Sequence, residues 1–437
     1  MDVFPHQVWP PLHTGQTHKP SIAPLVRSTY ALVLAGGRGS RLKQLTNWRA
    51  KPAVSFGGKH RIIDFTLNNC INSGVRRIGV LTQYKAHSLI QHVSRGWNLL
   101  DASQQEFIDL LPAQPRFTDS CHQGAADVVR QNLDTINLSS PAFILVLAGD
   151  HVYKMDYGVM LADHAAARAD VTVACIEPSL SNGPNSAMLQ VDAAQRVVGF
   201  RTKSADAEPS PDRSARWLAT MGVYVFNATF LQRHLRECAT RESSANDFGQ
   251  DILPGLIGRA DVRAHLFGDS CVDVTDGRPY WRDLSTLDAY WQANIDLTTV
   301  APQLNLDDKH WPIRAFQSQS QASEFVFDDG RARGEATDSL VSHGSIVSGA
   351  AVRRSLLSTN VVVEKHSVIE DSVVLPNVEI GRGVTLKRAI VDKFCRLPNG
   401  FTAGVDLEAD SKRFEVTEQG TILITPEMLG QHVHSLE

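Results

Sequence analysis

The chain has 437 residues, 43% of them hydrophobic, and a net charge of −4. That length exceeds what one core usually organises, so two domains are expected. The charge gives no general attraction to nucleic acid or to an anionic membrane, and any phosphate must be bound locally. Six cysteines are scattered without a Cys-x-x-Cys pair, which argues against a zinc cluster or a disulfide framework and fits a reducing, cytoplasmic setting. No apolar run is long enough to span a membrane.

In chain order, residues 1–28 carry prolines and polar residues and no apolar core of a signal peptide, so they are expected to form a flexible extension. Residues 31–35 then read as a buried parallel strand feeding Gly36, Gly37 and Gly39. Glycines there let the backbone bend tightly and turn N–H groups toward an anion, and Arg38, Arg41 and Lys51 follow as spaced cations. The spacing is neither that of a P-loop nor that of a dinucleotide fold. Taken alone, the turn reads equally as a structural strand-to-helix connection.

From residue 30 to about 300, strand-like runs (ALVLA, RRIGVLTQ, FILVLAGD) alternate with helical segments. The alternation predicts an α/β domain over 29–300, a mostly parallel, Rossmann-like sheet with ligands at the carboxyl ends of its strands. Asp150 falls at such an end, as metal ligand or as helix cap. Residues 301–335, with several Pro, Asp and Gly, read as a linker. Over 336–437, apolar residues step by six through Leu340, Ile346 and Val352, then Leu356, Val362 and Val368, then Val378, Val384 and Ile390. That period suits inward-facing residues of a β-helix, with short sandwich strands as the alternative.

The stretch LVLAGGRGSRLKQLTNWRAKPAVSFGGK at 32–59 resembles the signature of sugar-phosphate nucleotidyltransferases. Together with FGGKHRIIDFTLNNCINSG, LAGDHVYKMDY, DFGQDILP and YWRDLSTLDAYWQANIDL, it is similar to the ADP-glucose pyrophosphorylases over nearly the whole chain. The resemblance implies a left-handed β-helix at the C-terminus, serving assembly and regulation. It implies transfer of an adenylyl group from ATP to glucose 1-phosphate for glycogen synthesis, with Mg²⁺ as cofactor, in a homotetramer or beside a paralogous subunit. The nucleophile is then an already ionised phosphate oxygen, so catalysis rests on positioning, cations and a metal.

By the same resemblance Arg38, Arg41 and Lys51 are catalytic cations, and Asp150 and Asp283 hold the metal. Ala35, Gly36, Gly37, Gln83, Gly124 and Asp127 contact the nucleotide. His122, Ala187, Thr202, Lys203 and Thr220 form the sugar-phosphate pocket, and Arg49, Arg61, Lys393 and Arg413 form an effector site. The sugar pocket departs from the family pattern. Cys121-His122 replaces a Trp-Tyr pair, Ser186-Ala187 a Phe-Gly pair, and Thr202 a Glu. Trp48 and Val416 stand where cations for effector phosphates are common, so weaker activation, or another effector, is expected. Two other readings follow: a different sugar 1-phosphate, or a weakly active regulatory subunit.

Overall fold

The structure is a computed structural model, and it describes residues 21–432 except 38, 83–84, 98–99, 113–123, 179–186, 203–215, 239–246, 273–277, 317–318 and 329–331. The strand Thr29–Leu34 lies in the middle of a large sheet, parallel to Arg77–Thr82 on one side and to Phe143–Ala148 on the other. Phe107–Pro112 extends the parallel half. Beyond Phe143–Ala148 runs the long antiparallel strand Arg216–Asn227, which also pairs with Ala187–Val191 and Val171–Ile176. Alternation along the first strand puts Ala31 and Val33 in one apolar cluster and Tyr30 and Leu32 in another. Both faces are therefore covered, as a mostly parallel sheet requires.

The C-terminal domain is a left-handed parallel β-helix built from three narrow sheets. Equivalent positions recur every 16 or 17 residues, with Leu340 over Leu356, Leu356 over Val373 and Val373 over Ile390. Three sides of five to six residues make one such turn, which explains the six-residue period.

The phase of that period holds at Val352, Val378 and Val384, which fill the interior, and differs from expectation at the other positions. Val347, Val363 and Ile369 fill the interior, while Ile346, Val362 and Val368 beside them are only half-buried. Leu356 and Ile390, expected inside, face outward and join Leu42, Leu45 and Trp291 of the N-terminal α/β domain in one apolar cluster. The cause is apolar doublets such as Leu356-Leu357 and Val362-Val363, in which one residue points inward and its neighbour outward.

Two boundaries also shift. Within the segment read as an extension, Ile22–Arg27 is a helix whose Val26 packs on the main core. Within the segment read as a linker, Leu304, Trp311 and Ile313 are buried, and Trp311 donates its indole N–H to Asn69 Oδ1 at 2.9 Å. Glu324–Asp328 then pairs in parallel with Ile346–Ser348 as part of the β-helix. Most of that segment is polar, and the few buried apolar side chains decide the structure. Among the described residues no helix is long and apolar enough to cross a membrane.

Candidate active site

The sheet changes winding direction beside Thr29–Leu34. The chain first adds strands on the side of Arg77–Thr82, then returns to add Phe143–Ala148 on the other. Such a switch point opens a crevice at the carboxyl ends of the two central strands, the usual ligand position in this architecture. Both glycine-bearing turns lie there, drawn together where Gly149 N–H donates to Leu34 carbonyl at 3.0 Å. A cavity of about 510 Å³ opens above them, lined among others by Ala35, Gly36, Gly37, Arg41, Lys51 and Asp150. Gly124, Ser285 and Asp247 complete its wall. Gly39 must be glycine, because its φ is +60° and a Cβ there would sit 3.0 Å from Lys51 Cβ.

Lys51 is the centre of this site. Its ammonium lies 2.9 Å from Asp150 Oδ2 and 2.9 Å from Asp283 Oδ1, with only 5% of the side chain exposed. Burial alone would lower its pKa, but the two carboxylates outweigh that and raise it. Burial likewise pushes Asp150 up, and the charges of Lys51 and His151 more than reverse it, holding the carboxyl well below its usual range. Asp283 is lowered in the same way, by His151 and Lys51 against its own burial. Both acids are therefore ionised at neutral pH.

The helix-cap reading of Asp150 is excluded, since a strand, His151–Tyr153, follows it. Next to Asp283 the capping is done by Thr286, whose hydroxyl accepts from Ala289 N–H at 3.2 Å. Asp283 comes to Asp150 through a two-stranded ribbon in which it pairs with His151. Ligand atoms of Asp150, His151 and Asp283 all lie within 4.8 Å of one another. Two hard carboxylates converging on a point already held by a cation suit a divalent ion. His151 was not singled out from the sequence, where its only signal is adjacency to Asp150.

The sugar-side positions gather on neighbouring strands. Thr202 pairs with Ala187, and Ala219, next to Thr220, pairs with Met188, next to Ala187. The long strand is irregular between Thr220 and Tyr224. A Cβ on Gly222 inside that irregularity would lie 2.9 Å from Ala148 Cβ and 3.5 Å from His151 Cε1. The bulge thus sets the strand end carrying Thr220 against the turn carrying Asp150. Arg38, Gln83, His122 and Lys203 lie outside the described residues, as does the side chain of Thr202.

Two expected contacts turn out differently. Asp127 faces its own helix, accepting from Arg130 Nε at 3.2 Å and from Gln131 Nε2 at 2.9 Å, and does not line the cavity. Helical spacing of three and four residues places those donors beside it. Arg49, expected to face an effector, is 3% exposed and lies 2.6 and 2.5 Å from the two oxygens of Asp392 in the β-helix. Lys393 adjoins this pair, its backbone N–H donating to Asp392 Oδ1 at 2.8 Å. Arg61 donates to Ser88 carbonyl at 2.7 Å, and Arg413 lies over the rings of Phe401 and Phe414. Trp48 is half-exposed and its indole N–H meets Glu427.

Residues 30–300 match the nucleotidyl transferase family, and residues 321–424 match the GlmU-like C-terminal hexapeptide family. The chain is 55% identical to the glucose-1-phosphate adenylyltransferase of Methylobacillus flagellatus, over 95% of this chain and 97% of that one. It is 54% identical to the protein of the same name from Nitrosomonas europaea, over 94% and 96%. With that of Paramagnetospirillum magneticum it shares 55% identity over 92% and 95%.

Proposed function

The chain belongs to the nucleotidyl transferase family, and we propose that it makes ADP-glucose and pyrophosphate from ATP and glucose 1-phosphate, feeding glycogen synthesis. The observation that carries this reading is the convergence of Lys51, Asp150 and Asp283, the first two of which line the glycine-turn cavity. A phosphate oxygen of the sugar attacks the α-phosphorus of ATP, a new P–O bond forms, and the bond to the β-phosphate oxygen breaks. No general base is needed, so the residues bind, align and neutralise.

In this reading the backbone N–H groups around Gly36 and Gly37 receive the triphosphate, Arg41 of the cavity wall neutralises it, and Arg38 adds its charge. Lys51 remains protonated, held by its two carboxylates, and offers a fixed positive charge where the reacting phosphates meet. Asp150 and Asp283 would hold Mg²⁺, which when bound supplies positive charge to the phosphate oxygens. The strand ends at Ala187, Thr202 and Thr220, with His122 and Lys203, receive the sugar phosphate, and Gln83, Gly124 and Ala125 border the base. A homotetramer assembled with the β-helix, cytoplasmic and under effector control near Lys393 and Arg413, completes the proposal.

Initial rates for the purified chain with ATP, Mg²⁺ and a panel of sugar 1-phosphates test the reading. Glucose 1-phosphate is expected to be used best. A strong preference for another sugar, which the altered residues at 186, 187 and 202 would favour, replaces the glucose assignment while leaving the nucleotidyl transfer.

A further inference from the structure

We propose that His151 is the third protein ligand of the divalent ion held by Asp150 and Asp283, bound through Nε2; this rests on the metal site proposed above. The imidazole is placed by three independent constraints. It begins the strand His151–Tyr153 and is the register partner of Asp283, so the ribbon holds the two as cross-strand neighbours. The ring packs on Trp281 with centroids 5.0 Å apart and planes at 57°. Its Cε1 edge abuts Gly222, where a Cβ would come within 3.5 Å.

Those contacts leave one ring edge to face the acids. Nε2 lies 3.6 Å from Asp150 Oδ1 and 3.8 Å from Asp283 Oδ1. Both distances are too long for a direct hydrogen bond and suit groups that share an ion between them. Nδ1 is buried on the Gly222 side and has no hydrogen-bond partner among the described residues, so the imidazole does not serve the fold as a donor through that nitrogen. The side chain as a whole is 15% exposed.

An imidazole nitrogen changes what the site prefers. Two carboxylates alone favour hard ions such as Mg²⁺, whereas an added nitrogen donor strengthens binding along the series from Mn²⁺ to Co²⁺. His151→Gln should therefore weaken Co²⁺ binding about tenfold or more, with a smaller effect on Mg²⁺.

The deciding experiment is pulsed EPR of Mn²⁺ bound to the full chain, produced with ¹⁵N-labelled histidine, in the presence of unlabelled α,β-methylene-ATP. The expected result is a ¹⁵N coupling to Mn²⁺ in the parent chain that disappears in His151→Gln. A parent spectrum without the coupling decides against the assignment even where the variant does not fold. Bound Mn²⁺ without histidine coupling in the parent, or a coupling retained in His151→Gln, overturns the ligand assignment and leaves the carboxylate site standing. Absence of Mn²⁺ binding would instead overturn the metal site itself.

Discussion

Arg49 and Asp392, 343 residues apart in sequence, form a buried ion pair that joins the catalytic domain to the β-helix, with one guanidinium nitrogen within 2.6 Å of both carboxylate oxygens. Removing one partner leaves the other charge buried without its counter-ion, at a cost of about 3–5 kcal/mol. Arg49→Met is therefore expected to lower the thermal midpoint sharply, and Arg49→Met combined with Asp392→Leu to recover much of it. Calorimetric scans of the two single variants and the double variant complete the cycle. A double variant as unstable as the sum of the singles would show that the pair does not couple.

In the proposed metal site, Lys51 competes for the same carboxylate oxygens that would hold the ion. Lys51→Met is predicted to lower turnover by about a hundredfold or more while tightening Mn²⁺ binding, because a positive charge leaves the acids' immediate neighbourhood. Titration calorimetry with Mn²⁺ checks the second half. Weaker Mn²⁺ binding in the variant would mean that Lys51 organises the carboxylates and does not compete for them.

His60 predicts a pH dependence of stability. It is 1% exposed, and neither ring nitrogen has a hydrogen-bond partner among the described residues. Burial lowers its pKa to about 4, against the partial offset of Asp64. Between that value and the ordinary 6.5 the unfolded chain binds a proton that the folded chain refuses, so the contribution is complete above pH 6.5 and is lost as pH falls toward 4. The full effect is about 3 kcal/mol. Urea unfolding at pH 7 and pH 5, for the parent chain and for His60→Phe, measures it; a variant with the parent's pH slope would remove His60 from the account.

Much of the site is legible in the sequence because its parts are local. A strand, a glycine turn and an Asp at the end of a second strand are each written in a few consecutive residues, and the winding of the sheet brings Gly36 to Asp150. What was not legible depends on distant partners. Arg49 reads as a free cation until Asp392 is beside it, and His151 acquires a role only through its pairing with Asp283. The β-helix period was readable, whereas its phase was hidden by doublets such as Leu356-Leu357, whose members divide between the domain interface and the interior.

Thr202, paired with Ala187 at the sugar-side strand end, stands where the family pattern has Glu. A carboxylate accepts hydrogen bonds from sugar hydroxyls more strongly than a neutral hydroxyl does, by about 1–2 kcal/mol. Thr202→Glu is expected to lower the KM for glucose 1-phosphate with little change in the KM for ATP. Steady-state kinetics with both substrates check it, and poorer use of glucose 1-phosphate beside retained use of another sugar 1-phosphate would speak for that other sugar.

The convergence of Lys51, Asp150 and Asp283 as the centre of adenylyl transfer is tested most directly by the rate of ADP-glucose formation in Asp150→Asn and Asp283→Asn, each checked for an unchanged fold by circular dichroism. The amide keeps the shape and gives up the negative charge. Turnover with glucose 1-phosphate, ATP and Mg²⁺ is predicted to fall about a hundredfold or more in each variant. Turnover within a few-fold of the parent in either one would contradict the account.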